Sequence, residues 1–140
     1  MHSTFRQNAL KLRTLLLISV ISISSTARAQ EAVRIAFLDP LSGAFASVGT
    51  SGLKQLQFAA DYLFNSRGGI LDGRMIEIVP LDNQNSPTQT QIQFRRAVSE
   101  GIRIIFQGNG SAVANALNST ISRHNRRNPG QEILQINYSA

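Results

Sequence analysis

Short apolar runs alternate with longer segments of helical period along most of the chain. Each run has the length of a single strand. Turn-forming residues such as Asp39-Pro40 and Asp72-Gly73 lie at the ends of these runs. The four predicted strands are 33–38, 75–81, 102–106 and 133–137. No internal repeat or low-complexity tract interrupts this alternation.

The first helix is predicted between the first two strands. Apolar residues recur there on one helical stripe, at positions 53, 56, 60, 63 and 64. Gly68 and Gly69 end the helix, while the stretch 42–51, rich in Gly and Ser, is expected to form a loop that leads into it.

Two further helices follow the second and third strands. Pro87 suits the first turn of one, which Gly101 ends. The other follows the turn 108–111, carries residues 113, 117 and 121 on its inner face, and ends at 128–130. The resulting order, β-α-β-α-β-α-β, predicts an α/β fold with a parallel, doubly wound sheet and helices on both faces.

Ligands of such sheets bind beyond the carboxyl ends of the strands, where the strand order reverses. If the first strand lies between the second and third, this topological switch point falls between the loops that follow the first and third strands, 42–52 and 108–111. Each loop opens a helix whose first N–H groups are unpartnered, which favours a carboxylate or a polar neutral ligand. The candidate contacts are Ser42, Gly43 and Val48 in the first loop, and Gly108, Asn109, Gly110, Ser111 and Ala112 in the second.

The same residues also have purely structural interpretations. Glycines are needed by strand-to-helix turns, Ser111 suits a helix N-cap, and Val48 suits a hydrophobic staple. Asp39 and Asp82, which come directly after strands, are interpreted as turn or cap residues.

Residues 1–29 have the layout of a secretory signal peptide. Arg6, Lys11 and Arg13 form a basic region, 15–23 is apolar, and 27–29 matches an A-x-A cleavage site. The apolar run is much shorter than the roughly 20 residues of a membrane-spanning helix. We therefore expect export to the periplasm and a mature segment 30–140, which has about the size of one domain.

Charge and cysteine content narrow the functional classes. Four of the 14 Lys and Arg residues lie in the signal, so ten basic residues face eight acidic ones afterwards, a net charge of +2 without a basic stripe. This balance argues against nucleic-acid binding. The absence of cysteine excludes disulfides, thiol catalysis and a lipid-modified cysteine, which favours a soluble protein in an oxidising compartment.

Motifs for cofactors and catalysis are not matched. A dinucleotide fingerprint that starts at Gly108 would need glycine where Val113 stands, and neither a phosphate loop nor a hydrolase elbow occurs. His124, in the polar stretch 123–127, is interpreted as part of a solvated helix end. We therefore predict no cofactor, no metal and no catalytic residue.

Several motifs, taken in order, resemble the type I periplasmic binding proteins of the leucine/isoleucine/valine-binding group. The matching stretches are 40–43 with Gly49 and Gly52, 65–74, 81–82 with Pro87, and 108–112. The resemblance runs from about Val33 to the last residue and implies two α/β lobes that enclose a small solute and deliver it to an ABC permease. It implies that residues 30–140 are an incomplete N-terminal ligand-binding lobe. Such a receptor is expected to be a monomer.

The resemblance also implies contact residues. The third-strand loop and the segment after the fourth strand, here Ser139 and Ala140, would bind the carboxylate and ammonium groups of an amino acid. Ala112 stands where a second serine is usual, and relatives with this looser pattern take amides, urea or aromatic acids. The expected ligand is therefore a small polar or carboxylate-bearing organic solute. A secreted α/β enzyme with catalytic residues beyond 140 and a sensor ectodomain remain the alternatives.

Overall fold

The computed structural model describes residues 31–139, so the expected signal peptide and Ala140 lie outside the described residues. The strands are β1 (Val33–Asp39), β2 (Ile76–Asp82), β3 (Ile104–Gln107) and β4 (Leu134–Asn137). The helices are α1 (Ala46–Leu63), α2 (Pro87–Ser99) and α3 (Ser111–Arg127), with single 3-10 turns at Gly43–Phe45 and Asn65–Arg67. This alternation confirms the predicted α/β fold.

The four strands form one parallel sheet in the order β2-β1-β3-β4. Ile35 of β1 lies opposite Ile78 on one side and Ile104 on the other. The first strand is therefore central, as expected, and the exits of β1 and β3 are neighbours at the carboxyl edge of the sheet.

The two faces of the sheet are covered differently. Alternate side chains of the strands, among them Leu38 and Ile105, form the core with Phe94 of α2 and Leu117 of α3. Phe37 points to the opposite face, where it lines a cavity with residues of α1. Since α2 and α3 share one face, α1 is the one helix within residues 31–139 that covers the face carrying Phe37.

Helix α1 begins at Ala46, so the prediction of a loop through Ser51 is wrong in its second half. Gly49 lies inside the first turns of the helix, and a Cβ there would lie 1.8 Å from the Pro40 carbonyl oxygen. The glycine is thus needed because α1 lies very close to the chain that leaves β1, and not because this stretch is a loop.

The predicted ends of the other helices and strands differ less from the observed ones. Pro87 opens α2 after Ser86, whose hydroxyl accepts a hydrogen bond from the Gln89 N–H, as expected of a helix start. β3 begins two residues later than predicted, because the Ile102 N–H donates to the Ala97 carbonyl and not to a neighbouring strand. Among residues 31–139, no helix is long and apolar enough to cross a membrane.

Candidate functional site

The carboxylate of Asp39, at the end of β1, is completely buried and accepts four hydrogen bonds. The backbone N–H groups of Gly108 and Asn109 lie 3.1 and 3.0 Å from Oδ1. The Asn109 side-chain amide, at 2.8 Å, and the Tyr138 hydroxyl donate to Oδ2. The interpretation of Asp39 as a turn or cap residue is therefore wrong: its carboxylate joins the exits of β1, β3 and β4.

The second acid, Asp82 at the end of β2, does have the role of a turn residue. Its carboxylate accepts hydrogen bonds from the backbone N–H groups of Leu41 and Gln84, both at 2.9 Å, and from the Ser42 hydroxyl. Burial raises the pKa of Asp82, but these hydrogen bonds lower it by more, so the pKa lies below its ordinary value. The carboxylate thereby fixes the chain that leaves β1.

The Tyr138 side chain fills a space that two glycines leave open. A Cβ on Gly108 would lie 2.3 Å from Cζ of the Tyr138 ring, and a Cβ on Gly52 would lie 2.9 Å from its hydroxyl oxygen. The ring stacks on Phe37, with ring centroids 6.0 Å apart and planes inclined by 24°. Partial burial raises the pKa of the Tyr138 hydroxyl, and the hydrogen bond to Asp39 raises it further, so the hydroxyl keeps its proton as a donor.

An open cleft of about 400 Å³ lies between α1 and the exits of β3 and β4. Its size falls within the range of small-molecule sites. Side chains or backbone from eight residues line it: Ser47, Val48, Ser51, Gly52, Gln55, Asn109, Tyr138 and Ser139. The cleft therefore lies at the switch point that the sequence predicts.

Three of the candidate contacts line this cleft: Val48, Asn109 and Ser139. Ser42 and Gly43 do not, because the Ser42 hydroxyl donates to Asp82 and Gly43 forms a 3-10 turn beside it. Ala140 lies outside the described residues.

The rest of the third-strand loop serves mainly to shape the backbone. Gly108 lies beneath the Tyr138 ring, and Gly110, with φ +88°, is the N-cap of α3. Ser111 is the first helical residue, so its predicted N-cap role is wrong. Ser111 and Ala112 are exposed in the first turn of α3, and neither lines the cleft.

Sequence reasoning missed Ser47, Ser51 and Gln55, which form one polar stripe on α1 and face the cleft. Their spacing of four residues is typical of one helical face, but the Gly- and Ser-rich composition of 42–51 predicts a loop there instead. Tyr138 was also missed, since nothing in the local sequence shows that Gly52 and Gly108 leave room for its ring.

Within residues 31–139, no group of three or more His, Asp or Glu side chains is placed to hold a metal ion. His124, near the end of α3, lies edge-on to Phe94 with Nε2 3.0 Å from the Gln131 carbonyl oxygen. It is partly covered rather than fully solvated.

This chain is similar to known proteins in both sequence and fold. The sequence profile of the family described as "Periplasmic binding protein" matches residues 32–128. The Leu/Ile/Val-binding protein homolog 4 of Brucella abortus (strain 2308) is 34% identical over 128 residues, which cover 87% of this chain and 29% of that protein. The chain thus spans less than a third of the length of the curated relatives it matches.

Solved structures give the same result. The leucine-, isoleucine-, valine-, threonine-, and alanine-binding protein from Brucella ovis, in a closed conformation, superposes with a TM-score of 0.70 at 33% identity. The alignment covers 79% of this chain and 28% of that one. A solute-binding protein of R. palustris in complex with benzoate superposes with a TM-score of 0.56 at 26% identity, covering 66% of this chain and 25% of the other. The chain therefore belongs to the periplasmic binding protein family, and within that family it is similar to the leucine/isoleucine/valine-binding proteins.

Proposed function

We propose that this chain is the N-terminal lobe of an extracytoplasmic receptor that captures a small solute for an ABC importer and catalyses no reaction. The observation that carries the proposal is the way Asp39 joins three strand exits into one wall of an open cleft. A wall held by buried hydrogen bonds is pre-organised, which lowers the entropic cost of binding a small ligand.

The chemistry of the cleft favours a polar or zwitterionic ligand. Three serines and two amide residues line it, Ser47, Ser51 and Ser139 with Gln55 and Asn109, beside the Tyr138 ring. Of the described residues, none that lines the cleft is charged. Hydroxyl and amide groups supply both donors and acceptors, so they can satisfy an ammonium and a carboxylate in one ligand.

The relatives support the same class of ligand. One carries leucine, isoleucine, valine, threonine and alanine in its name, and another is in complex with benzoate. We therefore assign a small amino acid, amide or organic acid to this chain, with the solute enclosed between this lobe and a second one. An inner-membrane permease is the proposed partner, and the receptor is proposed to act as a monomer.

We expect the chain to be exported and its signal removed after Ala29. N-terminal sequencing of the protein recovered from the periplasm should give a start at Gln30 or within one or two residues of it. A product that keeps Met1 and sediments with membranes would contradict this assignment.

A single lobe is expected to bind its solute weakly. Lobe closure excludes water and completes the polar contacts, so residues 30–140 alone should bind no tighter than about millimolar, near −4 kcal/mol. Calorimetry against amino acids, amides and aromatic acids tests this. Asn109→Ala should weaken the binding further, whereas Asn118→Ala, on the exposed part of α3, should leave it unchanged. Micromolar binding by a stable monomer would contradict the two-lobe account.

A further inference from the structure

Tyr138 lies between two cavities of different character. On one side is the polar cleft, and on the other is an apolar cavity of about 250 Å³ lined by Phe37, Leu56, Ala59 and Phe106. Gly52, Gln55 and Tyr138 border both cavities. These three residues therefore form the boundary between the two cavities, and Tyr138 has the largest side chain of the three.

The space that holds the ring has the shape and the chemistry of a site for a phenol. We call it the Tyr138 slot and define it by Phe37, Asp39, Gly52, Gly108 and Asn109. The glycines present flat backbone to the ring, and Phe37 supplies a stacking face. At the far end of the slot the Asp39 carboxylate accepts the hydroxyl hydrogen, and the Asn109 amide lies 3.5 Å from the hydroxyl oxygen.

Tyr138 also differs from an ordinary core residue. Tyr138 is 44% exposed, whereas Phe37, on which its ring stacks, is 1% exposed. A ring that only filled the core would be covered as completely as Phe37, so the exposure of Tyr138 to the cleft sets it apart. These features together indicate a ring that stands at the surface of the cleft inside a site built for a phenol.

We infer that Tyr138 is the specificity-determining residue of the cleft, because its own side chain occupies a phenol-binding slot that a ligand would otherwise reach. With the ring in place, the cleft takes solutes with a small apolar part. Without it, the slot takes phenol itself and solutes that carry a hydroxyphenyl group. The statement about solutes rests on the proposed function; the statement about the slot does not.

The test removes the Tyr138 ring by substitution and then adds phenol as a free ligand. In the purified chain, Tyr138→Ala should bind phenol at least tenfold more tightly than anisole, since anisole has the same ring but no hydrogen to donate to Asp39. Dissociation constants from NMR titration, with the rise in Tm as a second readout, measure this selectivity. The wild-type chain and Tyr62→Ala, which removes the exposed tyrosine of α1, should show no such binding. Equal binding of phenol and anisole, or none of either, would overturn the slot.

Two further variants keep the test decisive. If Tyr138→Ala does not fold, phenol but not anisole should restore its native NMR spectrum, and failure of both to do so overturns the proposal. Tyr138→Phe keeps the ring and loses the hydroxyl, so the slot stays filled and this variant should not bind phenol. Phenol binding by Tyr138→Phe would show that the ligand sits elsewhere.

Measurements of solute affinity distinguish a failure of this inference from a failure of the proposed function. Affinities for L-alanine and 4-hydroxyphenylacetate are measured in the wild type and in Tyr138→Ala. The ratio of the two should shift by at least tenfold toward the hydroxyphenyl compound in the variant. An unchanged ratio, with L-alanine bound by both proteins, would overturn the specificity role alone. The wild type could instead bind no solute of the calorimetric panel while Tyr138→Ala still binds phenol more tightly than anisole. That outcome would overturn the proposed function but not the phenol-binding slot.

Discussion

Asp39→Ala is expected to lower the free energy of unfolding by about 3 to 5 kcal/mol. The substitution removes a buried acceptor and leaves two backbone N–H groups, an amide and a hydroxyl without their partner. Since a domain has a total stability of about 5 to 15 kcal/mol, the loss is a large fraction of it. Urea unfolding monitored by circular dichroism measures the change.

Asp82→Ala is the matched control, because Asp82 ends the neighbouring strand and also accepts backbone hydrogen bonds. Its carboxylate is only partly buried, so water can replace it, and the expected loss is about 1 kcal/mol. Equal losses for the two variants would show that the contacts of Asp39 with the β3 and β4 exits contribute nothing beyond those of a turn residue.

Gly108→Ala is expected to cost about 2 to 3 kcal/mol, because its methyl group would lie 2.3 to 2.6 Å from three carbons of the Tyr138 ring. The ring has to leave its position, and its hydrogen bond to Asp39 is lost with it. The backbone at Gly108 needs no left-handed conformation, so the cost comes from the ring.

A double-mutant cycle isolates that cost. In a Tyr138→Ala background the same change at Gly108 should cost less than about 1 kcal/mol, which gives a coupling energy of at least about 1 kcal/mol between the two positions. Urea unfolding of the four proteins measures the coupling. The same cost in both backgrounds would mean that Gly108 is required for a reason other than the ring.

The order of the elements and the arrangement of the sheet could be predicted because both depend on local patterns. Apolar runs such as 102–106 have the length of a strand, and the residues 113, 117 and 121 have the period of a helix. The central place of β1 follows from the usual arrangement of such sheets. The presence of a cleft at the carboxyl edge of the sheet follows in turn.

The details of the site could not be predicted, because they depend on residues far apart in the chain. Asp39 bonds to groups 69, 70 and 99 positions away, and no local pattern distinguishes it from Asp82. Gly49 and Gly52 look like loop residues but serve the close packing of α1 against Pro40, Phe37 and Tyr138. Composition alone cannot separate a glycine that bends the chain from one that admits a neighbour.

The edge strand β4 bears on how the lobe behaves alone. Leu134 is 58% exposed there, and Ile136 is also exposed. An uncovered strand edge with apolar side chains favours association between molecules. We therefore expect residues 30–140 by themselves to be of marginal stability or solubility, and experiments on them require low protein concentration.

The central claim is that the cleft between α1 and the exits of β3 and β4 binds the solute. The most direct test is an NMR titration of isotope-labelled residues 30–140 with each solute that calorimetry identifies. The account predicts that the largest shifts fall on Ser47, Ser51, Asn109 and Ser139, with a dissociation constant of about 1 mM or weaker. Shifts confined to the opposite edge of the sheet, around Arg74 and Arg103, would contradict it.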